Sequence, residues 1–223
     1  MTRTQTLTAA LITALVFAAL GAAGGAYAQS GTLTDPRDGR VYRTVKIGAL
    51  TWMAENLNLA TDSVSFQCYG LANSNVTKSN CEIYGRLYTW DAAMSACPAG
   101  WRLPDREEWN DLVQKAGGEN SAGRKLKSKS GWGANNGTDE FGFSALPGGY
   151  CWPNREWDRR RSLGLGHIGS WWSATDDGGG NAWNRVMSSG NERETPTFNS
   201  ENKVREDLDY KTLGLSVRCV REE

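Results

Sequence analysis

The stretch from Trp90 to Val113, reading WDAAMSACPAGWRLPDREEWNDLV, constrains the fold most, because it predicts two short helices separated by a break at Pro98–Gly100. Apolar residues recur at the spacing of one helical face, first at Trp90, Ala93, Met94 and Cys97, and then at Trp109, Leu112, Val113 and Ala116. Asp105, followed three residues later by Glu108, has the pattern of a capping box that begins the second helix. Cys97 would then end the first helix on its buried face, within reach of a distant cysteine.

The first 28 residues have the composition of a signal peptide. A single cation precedes a largely apolar run from Leu7 to Leu20, and Ala26-Tyr27-Ala28 has the small-x-small pattern of a cleavage site. The run is short for a bilayer span, and no cysteine follows it to carry a lipid. We therefore expect a mature chain without a membrane span that is secreted, periplasmic or at the cell surface. Residues 1–28 are the predicted signal peptide, 29–37 a flexible lead-in and 38–222 a single domain.

The charge balance excludes a general attraction to nucleic acid or anionic membranes. The chain has 25 basic and 25 acidic residues, and loss of the signal peptide removes one basic residue, which leaves 24 against 25. The arginines between 155 and 161 alternate with Glu156 and Asp158, as in a solvated loop. A length of 223 residues suits one domain, and 26 glycines with 10 tryptophans favour a loop-rich α+β fold over a helical bundle.

The chain has five cysteines, so at least one thiol stays unpaired even if the other four form two disulfides. They lie at positions 68, 81, 97, 151 and 219. Cys68 and Cys81 bracket the centre of a Ser/Asn-rich stretch without periodicity, so a local disulfide between them is the economical pairing. Spacing alone leaves the pairing of the other three open.

Short strands account for most of the remaining chain. Residues Gly39–Gly48 and Leu50–Ala54 alternate as in a β-hairpin. Further strand patterns occur at Phe141–Tyr150, Ser170–Thr175, Ala182–Met187 and Leu215–Val220. Between the last two, Ser188–Lys211 is polar and acidic, which indicates either a binding loop or a partly disordered segment.

The order of these elements, a hairpin, two helices and then short strands with long loops, resembles the C-type-lectin-like fold. The chain is also similar, from Asp38 to Arg221, to the Fibrobacter succinogenes major paralogous domain family. The matching motifs are DGRVY at 38–42, WMAENL at 52–57, YGRLY at 84–88, CP at 97–98, GWRLP at 100–104, FSALPGG at 143–149, WSAT at 172–175 and SVRCV at 216–220. This resemblance implies an α+β fold with two short helices packed on short antiparallel strands, and a secreted or surface protein of unestablished activity. It also implies a Cys97–Cys219 disulfide, which leaves Cys151 as the free thiol.

The chain offers little to support catalysis. His167 is the only histidine, which excludes a two-histidine metal site, and no nucleophile motif accompanies it. The resemblance extends to formylglycine-generating oxidases, which bind copper through paired cysteines near the end of the chain. The corresponding region, Gly169–Trp172, has no cysteine near it, and Cys219 is expected in a disulfide. We therefore predict no catalytic residue and no cofactor.

The sequence is compatible with a calcium-binding site but does not indicate one. C-type lectins bind calcium through a Trp-Asn-Asp triplet, whereas this chain has Trp183-Asn184-Arg185, with arginine in place of the acidic ligand. Asp176 and Asp177 carry oxygens suited to a hard cation. However, Asp-Asp-Gly-Gly-Gly is also a common turn sequence. We therefore predict no metal site.

Aromatic and amide side chains near the late loops favour a non-catalytic binding or surface-interaction module with a glycan or protein ligand. Because neighbouring strand residues face opposite sides, we expect Trp172 to face inward and Trp171 outward. The predicted binding residues are Trp152, Trp157, Trp171, Asp176, Asp177, Asn181 and Asn184. One alternative is a formylglycine-generating-oxidase-like enzyme. Another is a variable ligand-display protein, because the late loops are rich in asparagine, at Asn181, Asn184, Asn191, Asn199 and Asn202.

Overall fold

The computed structural model describes residues 29–60, 65–66, 78–133, 135–152, 163–190 and 200–222. Its strands are β1 (Ser30–Thr34), β2 (Val41–Ile47), β3 (Leu50–Met53), β4 (Ser65–Phe66), β5 (Leu87–Tyr88), β6 (Ile168–Asp176), β7 (Asn181–Ser188), β8 (Val204–Tyr210) and β9 (Val220–Glu222). Its helices are α1 (Lys78–Tyr84), α2 (Trp90–Ala96), α3 (Arg106–Lys115) and α4 (Glu119–Leu126). Helices and antiparallel sheets thus make a mixed, α+β fold. None of the helices in these described ranges is long and apolar enough to cross a membrane.

The first sheet has four antiparallel strands in the order β1-β2-β3-β9. Strands β2 and β3 form the predicted hairpin. The prediction of a flexible lead-in at 29–37 is wrong, because β1 lies within it and pairs with β2 from Ser30 opposite Val45 to Thr34 opposite Val41. Strand β2 has backbone N–H and C=O groups along both of its edges. Strand β3 pairs with one edge, and β1, from the polar N-terminal segment, forms hydrogen bonds with the other.

The second sheet has three antiparallel strands in the order β6-β7-β8. Strand β8 lies inside Ser188–Lys211, so the prediction of an irregular loop there is wrong for residues 204–210. Its sequence, VREDLDY, is mostly charged because β8 is an edge strand of the sheet and most of its side chains are partly or fully exposed. The asparagines at 191 and 199 lie outside the described residues.

Strand β6 separates two hydrophobic clusters, and both of its tryptophans are fully buried. Trp171 packs with Trp52 and Trp109 on one face, whereas Trp172 lies in the other cluster with Tyr88. The prediction that Trp171 faces outward is therefore wrong. The two side chains do point to opposite faces, as strand alternation requires, but α3 and the first sheet cover one face while α2 and the last segment cover the other.

Helix α3 begins with the predicted capping box. An Asp105 carboxylate oxygen accepts from the backbone N–H of Glu108 at 2.8 Å, and a Glu108 carboxylate oxygen accepts from the backbone N–H of Asp105 at 2.8 Å. Helix α2 differs from the prediction, because it buries its alanines and leaves Met94 46% exposed. Small alanine side chains allow the α2 backbone to lie close to β6, which turns the larger Met94 toward solvent.

Three further segments depart from the predicted strands and loops. Helix α1 lies in the stretch without apparent periodicity. The segment Phe141–Tyr150 makes isolated bridges, at Ala145, Gly149 and Tyr150, instead of a continuous strand. The last strand begins at Val220 and not at Leu215, although isolated bridges at Leu215 and Ser216 attach the preceding residues to β5 and β6.

A disulfide joins Cys97 to Cys219, as the resemblance implies, with the two Cα atoms 5.8 Å apart across 122 residues. It fastens the end of α2 to the residue before β9. Cys151 is buried and forms no disulfide with another described cysteine. Cys81 is disulfide-bonded, and because Cys68 lies outside the described residues, the Cys68–Cys81 pairing stays a prediction.

Candidate functional site

Two partly or largely exposed aromatic rings, Trp152 and Tyr210, contact each other near the end of β8, and Lys211, the residue after Tyr210, contacts a third ring, Trp90. We call Trp90, Trp152, Tyr210, Asn181 and Asp177 the aromatic patch. Tyr210 is 59% exposed, and its ring centroid lies 6.1 Å from that of Trp152, in an edge-to-face contact. The Trp90 indole N–H donates to the carbonyl of Ser173 at 2.8 Å, which fixes that ring against β6. The patch therefore presents rings held by the sheet beneath them.

The β6–β7 turn places two polar side chains beside Tyr210. Asn181 lies directly opposite Tyr210 in the β7–β8 register. Its side-chain amide donates to Asp177 at 2.7 Å, and the other Asp177 oxygen accepts from the backbone N–H of Gly179 at 2.8 Å. The hydrogen bond from Asn181 holds the pKa of Asp177 below its usual range, so the carboxylate is ionised at neutral pH. The structure thus brings together two of the predicted binding residues.

Lys211 connects the turn to the start of α2. Its ammonium group forms an ion pair with Asp176 and lies 4.4 Å from the centroid of the Trp90 ring. The hydrogen bond from Lys211 also lowers the pKa of Asp176. In addition, the backbone of Trp90 donates to the Lys211 carbonyl at 2.9 Å, and that of Lys211 to the Gly180 carbonyl at 2.9 Å. Asp176 therefore supports the patch indirectly, by holding Lys211 next to the Trp90 ring, and its charge is already paired with that lysine.

Asn184 is not available at the surface. It is fully buried, and its amide nitrogen donates to the Asp209 carboxylate at 3.0 Å and to the Asp207 carbonyl at 3.3 Å. Burial, followed by the charge of Asp207, raises the pKa of Asp209. The prediction that Asn184 and Trp171 line an exposed binding surface is wrong, because both side chains are covered by the sheet and its neighbours. Trp157 lies outside the described residues.

The acidic pair in the turn is engaged by protein groups. Asp176 binds Lys211, and Asp177 binds Asn181 and two backbone N–H groups, which agrees with the interpretation of this sequence as a turn. Within the ranges that the structure describes, no three His, Cys, Asp or Glu side chains converge as a metal-binding group would require.

His167 contacts Ser189, a pairing that no sequence motif indicated because the two residues are 22 positions apart. The ring Nδ1 lies 3.1 Å from the Ser189 hydroxyl, and the Ser189 backbone N–H donates to the His167 carbonyl at 2.8 Å. Ser189 is only 2% exposed, so a substrate could not reach this hydroxyl. The contact therefore attaches the glycine-rich turn to the end of β7.

Sequence reasoning does not find two members of the patch, Trp90 and Tyr210, or Lys211, which supports them. Trp90 was assigned to a buried helix face, and Tyr210 lay in a segment expected to be irregular. The alternation of Leu208 and Tyr210 with acidic residues was the available signal for an edge strand with exposed apolar side chains.

The comparisons with known proteins identify a family but no characterised relative. No curated protein matches the chain, and no solved structure matches it. The family model described as the Fibrobacter succinogenes major domain matches residues 45–221, which is more than half of the chain and includes every residue of the aromatic patch. The chain therefore belongs to the Fibrobacter succinogenes major domain family.

Proposed function

We propose that this protein is a secreted, non-catalytic binding module of C-type-lectin-like architecture that takes a glycan ligand at the aromatic patch. The observation that carries the proposal is the exposed ring of Tyr210, supported by Trp152 and lying beside the ordered Asn181–Asp177 pair. A rigid ring next to fixed polar groups is the usual composition of a ligand-orienting surface.

The chemistry of the patch suits a sugar. The rings of Tyr210 and Trp152 offer apolar faces that pack against the C–H groups of a pyranose. The ionised Asp177 accepts hydrogen bonds from hydroxyl groups, and the Asn181 amide both donates and accepts. Because hydrogen bonds within the turn already orient these two side chains, little side-chain entropy is lost when a ligand binds.

Two further features support a secreted lectin-like module. The Cys97–Cys219 disulfide links a helix to the terminal strand, which is the pairing that the lectin-like resemblance implies. Disulfides persist in oxidising compartments, as expected for a chain that follows a signal peptide. The oxidase alternative gains no similar support, since Cys219 is held in that disulfide and Cys151 is buried.

A glycan array probed with the mature chain, residues 29–223, tests the proposal. We expect binding to at least one glycan class, with affinity about tenfold lower for Tyr210→Ala, since one aromatic contact is worth about 1.5 kcal/mol. Val41→Ala is the matched control, because Val41 is 57% exposed on the first sheet, outside the patch. Absence of glycan binding, or equal losses in Tyr210→Ala and Val41→Ala, would refute the assignment.

A further inference from the structure

The outer strands of the two larger sheets differ in how they are protected against further pairing. Isolated bridges join β9 to Arg102 and β6 to Ser216. Strand β8 is mostly charged, and the Asp207 carboxylate accepts from the backbone N–H of Leu208 at 3.2 Å. Such devices keep the backbone groups of an outer strand from pairing with another chain. Strand β1, reading SGTLT, is also an outer strand, but it has no charged residue and no proline.

The pairing of β1 with β2 shows which backbone groups of β1 face outward. The N–H of Lys46 donates to the carbonyl of Gln29 at 2.9 Å, so these two residues form a hydrogen-bonded pair. Such pairs alternate along antiparallel strands, so Gly31 and Leu33 also bond to β2. The residues whose N–H and C=O groups point away from β2 are Ser30, Thr32 and Thr34. All three are exposed, and their backbone groups make no other hydrogen bond within the described part of the chain. We call this row of groups the open edge of β1.

The open edge is complementary to a second copy of itself. When two copies run antiparallel with Thr32 opposite Thr32 of the partner subunit, Ser30 lies opposite Thr34 of the partner subunit. Every outward residue then faces another outward residue, so all three positions exchange both backbone hydrogen bonds. A shift of two residues would bring Pro36, which has no N–H, opposite Ser30. The central register is therefore the symmetric one.

The side chains of β1 are compatible with this register. The strand has no charged residue, so no like charges meet across the two-fold axis. Directly opposed threonines are a favourable cross-strand pair. An uncharged strand also has no charge pattern that would select a different partner, whereas its own sequence pairs every outward group. These features favour a second copy over a strand of another protein.

We propose that the open edge of β1 pairs with β1 of a second copy of this chain and forms a two-fold symmetric dimer. The two four-stranded sheets then become one continuous sheet. A single pair of short strands buries little surface, so the dimer dissociates on dilution. The interface contains no residue of the aromatic patch, and the proposal is independent of glycan binding.

Sedimentation velocity of the mature chain, residues 29–223, tests the proposal over about 1 μM to 1 mM, the range in which a small interface associates. We expect a reversible monomer–dimer equilibrium. Thr32→Pro removes the central N–H of both copies but no hydrogen bond to β2, and an outer strand accepts proline at such a position. This variant should weaken dimerisation at least about tenfold, because the symmetric pair loses two hydrogen bonds. Its circular dichroism spectrum should match that of the parent.

A second variant adds charge without changing the backbone. Thr32→Lys places like charges opposite each other at the two-fold axis, so it should weaken dimerisation at low salt and recover part of it at high salt. Leu208→Lys is the matched control, because it adds the same charge to the outer strand β8 and should leave dimerisation unchanged. A chain that stays monomeric throughout, a dimer that neither Thr32 variant weakens, or an equal loss in Leu208→Lys would overturn the proposal.

Discussion

Replacing Arg218 with methionine removes a charged donor from the interior while keeping an unbranched side chain. Arg218 is fully buried, and every hydrogen-bond acceptor that it contacts is neutral. It donates to the Asn56 side-chain oxygen at 2.8 Å and to the carbonyls of Met53 at 3.1 Å and Ser144 at 2.8 Å, with a further short contact to the carbonyl of Phe143. The guanidinium also lies 4.5 Å from the Phe143 ring centroid.

The expected loss follows from the acceptors that methionine leaves behind. Asn56 retains a donor from Trp171, but the carbonyls of Phe143 and Ser144, which lie outside the sheets, lose the Arg218 donor. Two buried acceptors without partners cost about 2–6 kcal/mol. Burial lowers the pKa of Arg218 to about 9, which shows that its charge is destabilised in the interior. Methionine carries no charge, so the variant avoids this desolvation penalty, and the gain offsets part of the loss. We therefore expect Arg218→Met to lower the free energy of unfolding by about 3 kcal/mol.

Urea denaturation followed by tryptophan fluorescence measures this loss, because several tryptophans, including Trp171, are fully buried in the folded protein and become exposed on unfolding. Arg221→Met is the matched control, since Arg221 is exposed three residues later in β9 and should change the free energy of unfolding by less than about 1 kcal/mol. Arg218→Lys should lie between the parent and Arg218→Met, because it keeps the charge but not the planar donor set. A loss below about 1 kcal/mol for Arg218→Met would refute the reasoning.

Two other perturbations test the scaffold. The double variant Cys97→Ala/Cys219→Ala opens a loop of 122 residues and should lower the free energy of unfolding by about 5 kcal/mol; an unchanged urea midpoint would contradict this. Burial lowers the pKa of Lys127 from 10.5 to about 8, so the unfolded chain binds more protons between these values and stability should rise with pH across that range. Urea midpoints between pH 7 and 9 measure the rise, which Lys127→Met should reduce, whereas above pH 9 Arg218, with its pKa lowered to about 9, adds a rise of its own.

The parts of the fold that depend on local spacing were predictable. The capping box at Asp105 and Glu108 needs only residues three positions apart, and the β2–β3 hairpin needs only its own alternation. The Cys97–Cys219 pairing was not local, and it followed from the family resemblance and not from spacing.

Features set by distant packing were not predictable. Alternation placed Trp171 and Trp172 on opposite faces of β6, but whether each face is covered depends on α2, α3 and the first sheet. For the same reason the aromatic patch could not be assembled from sequence, since Trp90, Trp152 and Tyr210 come from three separate segments. Asp177 and Asn181 were found because a single turn contains both.

The family motifs and the aromatic patch occupy different parts of the molecule. Motif residues such as Asn56 and Arg218 bond to one another in the interior, so the resemblance describes mainly a scaffold. The residues of the aromatic patch, including Trp152 and Tyr210, all lie outside the motifs. The motifs that carried the resemblance therefore do not by themselves indicate the patch, although the family match over residues 45–221 includes it.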